Sequence, residues 1–193
     1  MTLTRKIGFL LLLPVIGALA TLSIFFALHT QTAEDAPVIN LAGRQRLHAQ
    51  QLLAYADRVR AGQEKDRAAL IELTDLYERS LAVLEHGGEF MGQAFPPVPA
   101  AVLDEIAEIR QVWESQGAAL RLIARRAVRA PGVEDAYRVA QANTPPLVAA
   151  ADNMVTALTQ RIQTLQRRTL NALLGSAGFN FLLLLAGIFI TRQ

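Results

Sequence analysis

The sequence predicts an all-α protein, an antiparallel four-helix bundle flanked by two transmembrane helices. Three observations predict it. Residues 7–28, IGFLLLLPVIGALATLSIFFAL, and residues 170–190, LNALLGSAGFNFLLLLAGIFI, contain no charged side chain, and about 20 apolar residues suffice to cross the hydrocarbon core as a helix. Between them, apolar residues recur at intervals of three and four, the repeat of a helix with one buried face. No period of two is sustained there, and no hairpin turn separates β-branched runs. The expected division is 1–29 for a cytoplasmic tip and first membrane helix, 30–169 for the four-helix domain, and 170–193 for the second membrane helix and the start of a cytoplasmic segment.

The first apolar stretch has a competing reading. Arg5 and Lys6 could form the basic region of a signal peptide, with Ala18, Leu19 and Ala20 as its small-x-small cleavage site. Cleavage there would leave Leu22, Ile24, Phe25, Phe26 and Leu28 at a new N-terminus, so an uncleaved anchor is the preferred reading. Two spans put both termini on one side of the bilayer. Arg5, Lys6 and Arg192 mark that side as cytoplasmic by the positive-inside rule, against an opposing contribution from Arg167 and Arg168. The expected location is a bacterial inner membrane, two-pass, with the central domain in the periplasm. The absence of cysteine is compatible with that compartment. A formal net charge of only +2, with basic and acidic residues interspersed, gives no support to nucleic-acid binding.

Residues 33–61 form the first expected helix, continuous with the first span and interrupted at Gly62. Residues 65–86 form the second, with Leu70, Leu73, Tyr77, Leu81 and Leu84 on one face and a stop at Gly87 and Gly88. A loop, GGEFMGQAFPPVP, follows. The third helix carries Val102, Ile106, Ile109, Trp113, Gln116, Leu120 and Ile123 on one face and ends before Ala130, Pro131 and Gly132. After a short stretch at 135–142, Asn143, Thr144 and Pro145 have the form of a helix start. Val148, Ala151, Val155, Leu158, Ile162, Leu165 and Thr169 then make a heptad leading into the second span. The aromatic residues and leucine stripes read as core.

One segment departs from simple packing. Residues 38–51, VINLAGRQRLHAQQ, place Gly43, Arg44 and Arg46 in mid-helix. Val38, Leu41, Gln45, His48, Leu52, Tyr55 and Val59 form one heptad seam, suited to packing within the subunit. Ile39, Ala42, Arg46, Ala49, Leu53 and Ala56 form a second, whose small side chains would admit another backbone. If that second seam meets its own copy in a parallel homodimer, the two Arg46 guanidiniums converge in an apolar groove. Arginine cannot relieve the repulsion by losing its proton, and an anion between the two turns it into charge-assisted hydrogen bonds. Gly43, one turn earlier, leaves space for a small ligand. A salt-bridged surface arginine on a helix that happens to contain a glycine is the plainer alternative.

Asn40, Ala42, Gly43 and Arg46 in INLAGRQRL resemble the P-box signature of the sensor domain found in nitrate/nitrite-responsive histidine kinases and at the N-terminus of type IV pilus-type methyl-accepting transducers. The layout of span, four-helix domain and span is similar as well. The resemblance implies a homodimer that binds nitrate or nitrite, with Arg46 from both protomers on the anion and backbone near Gly43 and Ala42 completing the site. Where many relatives carry a further arginine this chain has Gln51. Enzymatic chemistry is not expected: His29, His48 and His86 lie on separate segments, without metal-ligand spacing, and no phosphate-binding loop is present. No cofactor is expected. The chain ends at Ile190, Thr191, Arg192 and Gln193, where such receptors enter a cytoplasmic relay domain, so the expectation is either a truncated receptor or a short member that signals through a partner. The alternative function is a ligand-free membrane scaffold of a pilus or signalling complex, with Arg46 paired inside the subunit and Gly43 a packing glycine.

Overall fold

A computed structural model describes residues 3–192, with side chains described for 14–23, 25–26 and 36–186. Four α-helices account for most of the chain: α1 (Leu3–Arg60), α2 (Arg67–His86), α3 (Leu103–Arg125) and α4 (Val133–Arg192). Short 3-10 turns, Glu64–Asp66 and Ala100–Val102, precede α2 and α3. The chain divides into two compact units, residues 34–160 and the two ends, 1–33 with 161–193.

All four helices contribute to the core of the 34–160 unit. Of the expected stripes, Leu70, Tyr77, Leu81 and Leu84 on α2 and Ile106, Ile109, Trp113, Gln116, Leu120 and Ile123 on α3 are buried, while Leu73 is only partly buried against the core. Tyr77 and Trp113 stack with ring centroids 4.1 Å apart, and Glu78 accepts hydrogen bonds from Trp113 Nε1 and Arg110. Helix α2 stops at Gly87, which has φ 73° and donates its N–H to Val83 O at 2.8 Å. A Cβ there would lie 2.9 Å from Pro97 Cδ, so both backbone and space require the glycine.

The first helix corrects the expected seams. Its buried line is Val38, Ala42, Gln45, Ala49, Leu52, Ala56 and Val59, each no more than 1% exposed, with Leu41 of the first expected seam buried beside it at 3%. This line takes residues from both predicted seams, in a four-three alternation between them. Alanines assigned to contact with another copy are therefore core residues of the single chain. Their size lets neighbouring helices come close, and Ala49→Leu is expected to overpack this layer at a cost of about 1–3 kcal/mol, measurable by denaturant unfolding of the 30–168 segment. Helix α4 shows the same shift. Ala140, Thr144, Leu147, Ala151, Met154 and Leu158 are buried, while Val148 and Val155 pack only at the margin.

Two further expectations are overturned. The tripeptide Asn143, Thr144 and Pro145 does not start a helix, because α4 begins at Val133 and passes through Pro145 and Pro146. Thr144 Oγ1 donates to Ala140 O at 2.8 Å within the helix, and Gln116 Nε2 donates to Thr144 Oγ1 from α3. The prolines are exposed, as are Gln141 and Ala142, whose carbonyls lose their helical donors and can meet water. The loop after α2 contains a small antiparallel hairpin, β1 (Gly88–Phe90) with β2 (Gln93–Phe95). Met91 and Gly92 turn it with φ of 51° and 76°, the double positive φ of a tight two-residue hairpin. Phe90 is buried and meets Phe95 edge to face.

Within Val133–Ala186, α4 includes a stretch long and apolar enough to cross a membrane. Leu170, Leu174, Phe179, Phe181 and Leu182 on it are exposed, which suits lipid contact. On the first expected span the side chains of residues 7–13, 24, 27 and 28 lie outside those described. Its described portion includes an apolar helical run, Pro14–Ser23. The two helices meet through small and polar groups. The Thr21 and Ser176 hydroxyls hydrogen-bond, Thr21 also donates to Gly17 O at 2.8 Å, and a Cβ on Gly17 would collide with Asn180 Oδ1.

Candidate anion site on the first helix

Helix α1 stays regular through the GRQR segment, and this fixes which side chains reach the surface. Asn40, Arg44, Leu47, Gln51 and Ala54 are exposed, a four-three line opposite the buried one. Leu47 is 51% exposed, a large apolar side chain in the middle of an otherwise polar surface. Gly43 borders that face. A Cβ built on it meets nothing within 4 Å, unlike Gly117, where it would lie 3.1 Å from Trp113. Gly43 is therefore not a packing glycine of the single chain, although glycine in a helix interior costs about 1 kcal/mol relative to alanine. What it leaves is open room beside the helix backbone.

Arg46 sits one turn further on, at the flank of that face nearest α4. Its Nη1 donates to Asp152 Oδ1 at 2.9 Å, with side-chain exposures of 56% and 49%. Gly43 and Arg46 are neighbours on the helix surface by their spacing of three. Ala42 is not on that surface: it is fully buried in the core, so it has no side chain to offer a ligand at the outer face. Arg44 is exposed and has no ion-pair partner among the described residues. Burial, reinforced by the positive charge of Arg44, pushes the His48 imidazole below its ordinary pKa. Neutral His48 leaves the local positive charge to the two arginines.

Behind the surface, Gln45 is fully buried and donates from Nε2 to Ser80 Oγ on α2 at 2.7 Å. Ser80 Oγ in turn donates to Tyr77 O. The residue preceding Arg46 is thus tied by a buried polar contact to α2, and Arg46 itself to α4. Sequence reasoning singled out neither Ser80 nor Asp152. Asp152 follows the core residue Ala151 on α4, and its only sequence signal is an acidic residue bordering a heptad on a helix expected to neighbour α1.

The family described as Type IV pili methyl-accepting chemotaxis transducer N-term, PilJ, matches residues 27–134, more than half of the chain. The chain belongs to the PilJ family. No curated protein matches it in a comparison of whole sequences. The PilJ match takes in α1 from residue 27, with Gly43 and Arg46, and then α2, the hairpin and α3, and ends in the first turn of α4. Membership gives the domain a sensory, signalling role of the chemotaxis-transducer kind. Asp152 lies on α4 beyond the PilJ match.

Proposed function

We propose that this chain is a two-pass inner-membrane sensor whose periplasmic antiparallel four-helix bundle binds a small planar anion, nitrate or nitrite, at an interface between two copies. The observation that carries the reading is Gly43 with open space around it, next to the exposed Arg46, on the exposed face of a PilJ-family helix. A second copy laid against the line through Asn40, Leu47 and Ala54 covers Leu47 and brings the two Arg46 side chains toward each other across the glycines. Each guanidinium is planar and offers paired donors, so one anion accepts from both.

In the empty state Arg46 is neutralised by Asp152. The anion replaces Asp152 as the partner of Arg46, and the bond between α1 and α4 is exchanged for a bond between copies. Freed from that link, α1 shifts slightly against α4, and because both helices continue toward the membrane, a small displacement is transmissible as a piston or tilt. The ligand biases this equilibrium only through its differential contact with the two states. The receiving module is a cytoplasmic or membrane signalling partner.

Isothermal titration calorimetry of the 30–168 segment with nitrate, nitrite, chloride and sulfate tests the proposal. Nitrate or nitrite is expected to bind in preference to chloride and sulfate, and Arg46→Ala to remove the signal. Absence of binding by all four at millimolar concentration would leave the scaffold alternative, in which the Arg46 and Asp152 pair is only a link between helices.

A further inference from the structure

The end of the 34–160 unit opposite the hairpin has an uneven charge distribution. It is built from the turn between α1 and α2 and the loop between α3 and α4. Its carboxylates are engaged with the chain's own arginines. Asp66 pairs with Arg58 at 2.8 Å, Asp57 and Glu134 both with Arg60 at 3.1 and 3.2 Å, Glu64 with Arg67 at 2.6 Å, and Asp135 with Arg138 at 3.2 Å. Lys65, Arg125, Arg126 and Arg129 are all exposed and have no ion-pair partner among the described residues. The surplus at this end is therefore positive and carried by exposed side chains.

The end of α3 and the loop after it, which carry Arg125, Arg126 and Arg129, are held in place. Arg67 Nη1 donates to the carbonyls of Ile123, Ala124 and Arg126 at 3.1, 2.7 and 2.7 Å. Ala130 N–H closes a turn onto Ala127 O at 2.9 Å. Between this loop and the α1–α2 turn lies an open cleft of about 630 Å³, with Arg60, Gly62, Val128, Arg129 and Glu134 in its walls. Arg60 is spoken for by its two carboxylates and lies over the Tyr137 ring, so the cleft itself is close to charge balance. The positive charge lies along its rim.

We propose that this end of the unit docks an extended acidic segment of a partner protein, gripped by Arg125, Arg126, Arg129 and Lys65, with the cleft beside Arg129 receiving one of its side chains. Three physical arguments favour that occupant. The cations are spread over a loop and a turn and do not converge on one point, so a small anion reaches few of them while a chain of carboxylates reaches all. Guanidinium groups match carboxylates in paired hydrogen bonds. A loop pinned by Arg67 loses little freedom on binding. This surface is separate from the face of α1 that holds Arg46, and its test does not depend on anion binding there.

The test uses the full chain in nanodiscs of neutral phosphatidylcholine and the fluorescence anisotropy of a short labelled peptide alternating glutamate and serine, at physiological ionic strength. Binding is expected for this peptide and not for its glutamine counterpart. The triple variant R125A/R126A/R129A is expected to weaken it roughly tenfold, as three exposed ion pairs of modest strength together allow. R129Q alone is expected to give a smaller loss of the same sign, and the control R167A/R168A no loss. Equal binding of both peptides, or equal weakening by the triple variant and the control, would overturn the proposal in favour of diffuse attraction. Displacement of the peptide by an equal concentration of free glutamate would overturn it in favour of a small-anion site.

Discussion

Trp113→Ala is expected to lower the stability of the 30–168 segment by about 3–5 kcal/mol, the range for removing a buried aromatic side chain. Trp113 is 1% exposed and stacks on Tyr77, which is itself fully buried. Truncation opens a cavity against the buried Tyr77 ring. A polar cost adds to the apolar one. Burial raises the Glu78 carboxyl, but hydrogen bonds from Trp113 and Arg110 outweigh it and hold the group below the usual carboxylate range. Losing the indole N–H removes one of those bonds from a partly buried carboxylate. Since a domain of this kind has about 5–15 kcal/mol in total, the variant should approach the unfolding threshold. Urea denaturation measures it, and a loss under about 1 kcal/mol would show that the two rings do not form a shared core layer.

Nitrate is expected to promote dimerisation of the same segment. If the anion binds only where two Arg46 side chains meet, the dimer is stabilised by mass action, by roughly 2.7 kcal/mol at a ligand concentration of about 100 times Kd. Sedimentation with and without nitrate reads this directly, with ionic strength held constant so that screening is the same in both. Dimerisation indifferent to an anion that demonstrably binds would place the site within one subunit.

The parts of the fold that were legible in the sequence are those where size and spacing agree. On α2 and α3 the large residues Leu70, Tyr77, Leu84, Ile109, Trp113 and Leu120 fall on one face and have no second place to go. On α1 and α4 the spacing was visible and the register was not. Ala42, Ala49 and Ala56 fit equally well against a neighbouring helix of the same chain or of another copy, and only three-dimensional packing decides. Thr144 was misread because a hydroxyl that can cap a helix start can equally bond back to the carbonyl four residues earlier. The hairpin at 88–95 escaped because its strands are too short to show alternation and its turn, Met91 with Gly92, lacks the usual asparagine or aspartate. At the candidate site, Gly43 and Arg46 were readable from the motif. Asp152 was not, since its meeting with Arg46 joins residues over a hundred positions apart.

That unforeseen partner gives the sharpest test of the account, in which Arg46 is the anion contact and Asp152 its competitor. Calorimetric titration of Asp152→Asn with nitrate should give tighter binding than the unaltered protein. The gain is bounded by the strength of an exposed ion pair, about 0.2–1 kcal/mol, or at most roughly fivefold in Kd. Arg46→Ala should move the other way, to no measurable binding. Nitrate affinity that is unchanged or weakened in Asp152→Asn would contradict the exchange of Asp152 for the anion and, with it, the proposed route from the site to the membrane.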